Sequence, residues 1–292
     1  MSLPTAKVIT DSISPDGIRL TTLQLRYPRF IHSEFMTHRV FSRNASSSRA
    51  IPVAHMIEEL KRDPAMPVFW GSNKPGMQAG AELDGEDRQD VVARWLLARD
   101  SMIAAAQRMM EFGLHKQLAN RILEPWAHIN VVVTATEWSN FFALRCHEAG
   151  QPEIRVLAAT MLDAMADSVP RSLLPGDWHL PYVTDEERCD AYHGPSQAPE
   201  MNKLIRISVA RCARVSYLTH EGKPSTVEED LALYDRLVGS HPMHASPAEH
   251  QATPDRIMGT PGAGWNNPHL HGNLHGWIQY RKTLAGENIT RA

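Results

Sequence analysis

The sequence predicts a mixed α/β protein, and four stretches carry that expectation. Residues 20–28, LTTLQLRYP, alternate apolar and polar and stop at a proline, as a half-buried strand does. The β-branched run within INVVVTATEW, residues 129–138, reads as a buried strand. Apolar residues at helical spacing follow Asp90, where Val92, Trp95, Leu96, Ile103, Ala106 and Met110 form one core-facing stripe that stops at Gly113. They recur after Pro152, a first-turn proline, as Ile154, Leu157, Ala158, Met161, Leu162 and Met165.

The remaining elements are assigned around these. Residues 29–39, RFIHSEFMTHR, place Phe30, Ile31, Phe35 and Met36 at helical spacing and lead into a polar loop, SRNASSSRAIP. The prolines and glycines between Met66 and Gly85 indicate a long surface loop, of the kind that forms lids or binding elements. HKQLANRILEPW reads as a shorter helix ending near Pro125. Residues 168–199 read as connecting loop and RISVARCARVSY as a strand. Ser225 and Glu228 fit a capping box opening the helix VEEDLALYDRLVG, closed by Gly239, and a short helix fits NLHGWIQYRK. Together these make one domain over 1–292: a motif segment (1–65), a loop (66–89), a helical core (90–167), a connecting loop (168–200) and a final motif segment (201–292).

Composition narrows the function classes. With 42% apolar and 22% charged residues the chain is a globular protein, and it lacks the run of about 18 apolar residues that a membrane span needs. The N-terminal residues show no signal-peptide pattern, which predicts a cytoplasmic protein. Three cysteines without CxxC spacing argue against a disulfide framework or zinc ribbon. A net charge of −3 gives no global pull toward nucleic acid, so neither a nucleic-acid nor a membrane partner is expected. Of 30 basic residues 23 are arginine, whose planar fork suits a bidentate grip on phosphate or carboxylate.

Residues 37–49, THRVFSRNASSSR, collect His38, Arg39, Arg43, Asn44, Arg49 and four serines, the mixture of charge and directed hydrogen bonds that phosphate recognition uses. In spacing this segment resembles the RHR, seven residues, Ser, one residue, Arg signature of the flavin-dependent thymidylate synthases. His38, Arg39, Asn44, Ser47 and Arg49 fall on its positions, whereas Thr37 replaces its first arginine and Ala45 a glutamate. NFFALRCHEAGQPEIRVLA, residues 140–158, resembles the family's NFLxLRxxxxAQxEIxxxA element, with Asn140, Leu144, Arg145, Gln151, Glu153 and Ile154 in register. Arg121 lies in a segment similar to ARxxLP. Residues 212–250 resemble the family's ARVS segment, helix and HxSPxEH segment through Ser216, His244, Ser246, Pro247, Glu249 and His250.

The family order is different, with ARVS and HxSPxEH preceding RHR, so the resemblance implies a circularly permuted chain. GWIQYRKTLAGEN echoes the RHR segment near the C-terminus, with Arg281 at the second arginine and Glu287 at the missing glutamate. Which copy meets the flavin is left open.

The resemblance implies a thymidylate synthase-complementing protein-like fold, long helices on an antiparallel sheet, assembled as a homotetramer with active sites between subunits. It implies FAD, with methylenetetrahydrofolate and NAD(P)H as co-substrates, and transfer of a one-carbon unit to C5 of dUMP, giving dTMP. Arg145 is the expected catalytic residue and, with Ser47, Arg49 and Arg121, binds substrate. His38, Arg39, Asn44, Asn140, Leu144, Ser216, Ser246, Glu249, Arg281 and Glu287 are the expected cofactor-binding residues. The departures keep open a hydroxymethylase, a UMP methylase, or a nucleotide-binding regulator without flavin. No metal is expected, because the clustered histidines 241, 244, 250, 269, 271 and 275 lack an HExxH-type spacing. Cys146 beside His147 admits a nucleophile, although a small buried thiol is the simpler account. Trp138, Phe141 and Phe142 read as helix core.

Overall fold

The computed structural model describes residues 2–193, 197–215, 223–256 and 264–288; Ser216, an expected flavin contact, lies outside them. Its strands are β1 (Thr5–Ile13), β2 (Arg19–Pro28), β3 (Ser42–Ala45), β4 (His128–Ala135), β5 (Arg171–Ser172), β6 (Ala252–Pro254) and β7 (Trp277–Gln279). Its helices are α1 (His32–Met36), α2 (Val53–Arg62), α3 (Gly85–Glu111), α4 (Lys116–Ala119), α5 (Ser139–Arg145), α6 (Pro152–Ala166), α7 (Asp185–His193), α8 (Gln197–Arg214) and α9 (Val227–Leu237).

Five strands form one sheet in the order β3-β4-β2-β1-β5, antiparallel except for the short parallel pair of β1 with β5. Alternation decides its two faces. Leu23, Leu25 and Tyr27 of β2 and Ile129, Val131, Val133 and Ala135 of β4 point one way, onto Ile154, Leu157, Ala158 and Met161 of α6 and onto Phe35, Phe41 and Phe141. The opposite face carries Thr22 and Thr134, paired across the strands, and is covered by Tyr182, Cys212 and Val215 together with His179 and His250.

That face holds a continuous chain of buried hydrogen bonds. Ser12 Oγ and His179 Nδ1 are 2.8 Å apart, His179 Nε2 and Thr22 Oγ1 2.8 Å, Thr22 Oγ1 and Thr134 Oγ1 2.6 Å, and Thr134 Oγ1 and His250 Nδ1 2.8 Å. It joins β1, β2 and β4 to the segments before α7 and before β6, so the C-terminal third is fixed on the sheet by polar side chains as well as by packing. A second core unites α2, α3 and the 3-10 turn ending at Trp126, and a third unites α8 and α9.

Several expectations change. The polar loop after α1 contains β3, because Ser42 to Ala45 pair with β4 and gain ladder partners. The strand Thr5–Ile13 and the helix Val53–Arg62 are additions to the elements expected from the sequence. α3 starts at Gly85, and of its predicted stripe only Ile103 and Ala106 are buried while Met110 is exposed. Gly113 does end it, in a left-handed conformation with φ 77°. RISVARCARVSY belongs to helix α8 up to Arg214; Leu204, Ile205, Ile207, Val209, Ala210 and Cys212 are buried on nearly every side, which hides the helical period. α7 occupies the expected connecting loop. The capping box is one residue later, Thr226 with Glu229, because Ser225 turns its hydroxyl to Asp230. Residues 277–279 of the expected last helix form β7, since Gly276, with φ 76°, turns the chain onto β6.

Thr22→Val keeps the volume and leaves His179 Nε2 and Thr134 without their partner, so urea unfolding is expected to show a loss of about 1–3 kcal/mol; an unchanged midpoint would contradict the chain's importance. Burial holds His179 well below the usual histidine range and His250 down to about 3. Both imidazoles are therefore neutral when folded and take up protons first in the unfolded chain. Each ring's contribution is complete well above about pH 6.5 and declines as the pH falls below it, for His250 toward about pH 3, by up to about 1.4 kcal/mol per pH unit. His250→Asn should flatten the acid slope of stability in chemical denaturation measured across pH 4 to 7.

Candidate active site

Two sequence motifs meet at the C-terminal end of α5. Arg145, its last residue, donates from Nε to His38 Nε2 at 2.9 Å and from Nη2 to Thr37 Oγ1 at 3.2 Å. His38 is buried against Phe41 and Phe141. Burial first, then the Arg145 and Arg43 cations, hold its pKa below the ordinary value, so the ring stays neutral and Nε2 remains an acceptor. Arg43 donates to the carbonyls of Met36 (3.2 Å) and His38 (2.5 Å) and so fixes the turn that presents both partners of Arg145. Arg145 opens on a cleft of about 680 Å³ between the 66–84 loop, Phe30, Trp95 and the 148–155 segment, including Gln151 and Arg155. The long loop is thus one wall of the cleft. It is hydrogen-bonded across itself, Ser72 N to the Ala81 carbonyl (2.8 Å) and Leu83 N to the Trp70 carbonyl (2.8 Å).

The second group is the expected phosphate grip. Ser47 and Arg49 are exposed on the loop after β3, and Arg121 on the 3-10 turn that precedes β4. Two residues that the sequence reading did not single out join them. Asn120, fully buried, donates to the carbonyls of Ser48 (2.7 Å) and Ile51 (2.9 Å), and Glu124 Oε1 receives Ser48 Oγ (2.6 Å) and Arg121 Nη1 (2.9 Å) and pairs with Arg29 (3.2 Å). Glu124 stands where the ARxxLP pattern has leucine, and that departure was the available signal. Its carboxylate holds the loop and Arg121 together, leaving the hydroxyl of Ser47 and the fork of Arg49 without intramolecular partners among the described residues.

The third group surrounds the 3-10 turn Ser246–Glu249, which packs on β3. The Asn44 amide donates to the carbonyls of Arg43 (3.0 Å) and Ser246 (3.2 Å). Glu249 pairs with Arg281, whose Nε donates to Glu287 at 2.7 Å, and Lys282 reaches Glu287 at 2.8 Å. Both copies of the RHR-like segment therefore stand at this turn, the N-terminal one through Asn44 and the C-terminal one through Arg281. Arg281, Lys282, Glu249 and Glu287 satisfy one another; the two carboxylates share the two cations, and Glu287 is held below the usual carboxylate range despite its burial.

Of the other expected residues, Arg39, Asn140 and Leu144 are exposed, with Asn140 and Leu144 one turn apart on α5. Trp138 and Phe141 are core, as read. Cys146 is exposed rather than buried, because α5 ends at Arg145 and the chain leaves the core there, and its pKa is raised, which disfavours the thiolate a nucleophile needs. Among the described residues no group of three histidine, cysteine or carboxylate side chains is arranged to hold a metal, and His271 instead pairs with Asp255 at 2.9 Å. No helix among them is long and apolar enough to cross a membrane.

Comparison with known proteins gives a family and a set of distant structural likenesses. A profile of the family described as thymidylate synthase complementing protein matches residues 19–171. No curated protein sequence matches significantly. Among solved structures, the UMP/dUMP methylase PolB from Streptomyces cacaoi bound with 5-Br UMP is 20% identical, over 57% of this chain and 90% of that one, with a TM-score of 0.48. The flavin-dependent thymidylate synthase from Helicobacter pylori complexed with FAD and dUMP is 18% identical, over 50% of this chain and 67% of that one, with a TM-score of 0.37. The matched segment holds β2 to α6, and with them Arg145, Thr37, His38 and the Ser47, Arg49 and Arg121 group, so this chain belongs to the thymidylate synthase complementing protein family.

Proposed function

We propose that the protein transfers a one-carbon unit from methylenetetrahydrofolate to C5 of the uracil of dUMP, with FAD as cofactor and NAD(P)H as reductant. The observation that carries this reading is the arrangement inside the family segment: a fixed arginine, Arg145, on the rim of a cleft, and an exposed hydroxyl and two arginines, Ser47 and Arg49 on the loop after β3 and Arg121 on the 3-10 turn that Glu124 ties to it.

The uracil ring must gain electron density at C5 while its carbonyl oxygens take up negative charge. Arg145 supplies a preplaced cation for that charge, since two of its five N–H groups are fixed within the protein and the others are open to a ligand. Ser47, Arg49 and Arg121 suit the phosphate and orient the ring without touching the reacting atoms.

The donor set fits FAD in part. The side chains of Arg39, Asn140 and Ser246 make no intramolecular hydrogen bond among the described residues and offer a cation, an amide and a hydroxyl, and Asn44 lies beside Ser246. Glu249, in contrast, is engaged by Arg281, which makes the carboxylate–arginine pair a support for the turn that carries Ser246. When bound, FAD would deliver hydride equivalents to the transferred carbon; the chain's own residues bind, orient and supply charge. Assembly into a homotetramer, with sites completed by a second copy, agrees with the weak burial of α3, which leaves Leu97, Met110 and the adjoining Phe112 exposed. The permuted order agrees with the third group, where residues 246–249 and β3 meet.

Purified protein, supplied with FAD and desalted, is expected to keep oxidised-flavin absorption that bleaches anaerobically with NADPH, and mass spectrometry should find dTMP from dUMP. A protein that binds dUMP but no flavin would overturn this reading; a hydroxymethyl product or a preference for UMP would change its final step or substrate. Arg145→Lys should lower kcat by about 100-fold or more with a smaller change in nucleotide binding. Glu124→Ala should raise amide hydrogen exchange over residues 46–51 and weaken dUMP binding by about tenfold, at little cost to kcat.

A further inference from the structure

The position at which this chain departs most from the RHR pattern lies against the proposed catalytic arginine. Thr37 Oγ1 donates its one proton to the Glu34 carbonyl at 2.7 Å, so only its lone pairs face Arg145 Nη2 at 3.2 Å. His38 Nε2, at 2.9 Å from Arg145 Nε, is an acceptor as well, and its ring is held by Phe41, whose ring centre is 5.9 Å away at 25°, and by the edge contact of Phe141 at 4.8 Å. The carbonyls of Met36 and His38 are in turn fixed by Arg43. Adjacent residues on one turn thus present two acceptors to two edges of a group that only donates.

We infer that Thr37 and His38 are positioning residues for Arg145, and that His38 serves the arginine rather than a cofactor. The inference rests on the reading of Arg145 as the group that holds the uracil. An arginine at position 37 would bring a second cation and only donors to the guanidinium, so threonine is what allows this pair to form. It also makes the pair sensitive to acid. Protonated His38 loses its acceptor and sets two cations at hydrogen-bond distance. The charged groups acting on it are Arg145 from α5 and Arg43 from β3, both of which oppose its protonation, while Phe41 and Phe141 carry no charge.

The test combines turnover with a readout independent of it. In wild type, kcat should fall on an acid limb with an apparent pKa below about 6.5, at nearly constant nucleotide KM. His38→Gln retains an acceptor that does not titrate; it should keep kcat within about tenfold and abolish that limb. His38→Leu and Thr37→Val should lower kcat by about 10- to 100-fold with KM changed less than about threefold, Thr37→Arg should lower it further, and Thr37→Ser should restore it. The ¹⁵Nε resonance of Arg145, assigned by its loss in Arg145→Lys, should titrate with His38 in wild type and not in His38→Gln. A persistent acid limb in His38→Gln, or an Arg145 resonance indifferent to His38 and Thr37, would overturn the proposal. If the resonance responds as expected while dUMP yields no product, the positioning stands and the assigned reaction fails.

Discussion

The hydrogen-bonded chain from Ser12 through His179, Thr22 and Thr134 to His250 is the constraint on which the placement of the C-terminal third depends. A sheet face that carries two threonines at its centre cannot be covered by purely apolar segments without stranding their hydroxyls. The covering segments must bring polar groups at fixed positions, and His179 and His250 do so. Tyr182 adds its hydroxyl to Gln24 at 3.0 Å on the same face. His250 follows directly after the Ser246–Glu249 turn, so seating its ring on Thr134 sets that turn on β3. In this way a stability device on one side of the sheet fixes the position of Ser246 and Glu249 beside Asn44.

The opposite face follows another rule. It is apolar, and α6 with the aromatic group of Phe35, Phe41 and Phe141 covers it. The same aromatic rings that close this core hold His38, which connects core packing to the geometry of Arg145. The electrostatics of the site also depend on carboxylates in particular places. Glu124 keeps Arg121 and Ser48 together, and Glu287 and Glu249 together neutralise Arg281 and Lys282. Cations facing one another at such distances repel without intervening acceptors, so the acceptors are as much part of the arrangement as the arginines.

The echo between the two ends of the chain acquires a physical sense from this arrangement. β3 packs on the Ser246–Glu249 turn and Arg281 pairs with its Glu249, so the two similar segments contact the same element. The N-terminal copy supplies a strand and the tethered loop, while the C-terminal copy supplies an ion-paired brace. Their division of labour arises from neighbours, since Ser42 to Ala45 find β4 as a ladder partner and Tyr280 to Thr283 close into a 3-10 turn.

The sequence by itself determined the two central strands, the long helices after Asp90 and Pro152, the family and the residue types of the three motif groups, because alternation, helical spacing and motif spacing are local properties of the chain. Only the tertiary structure decided the rest. RISVARCARVSY has the pattern of a strand because the part of α8 it covers is buried on nearly all sides and shows no clear apolar stripe, and Ser42 to Ala45 have the pattern of a loop because a short polar segment becomes a strand only beside a partner. The roles of Glu124 and Thr37, and the engagement of Glu249 by Arg281, depend on side chains between 32 and 108 positions apart in the chain meeting within hydrogen-bond distance. Such contacts are set by how the sheet is covered, and no spacing along the sequence encodes them.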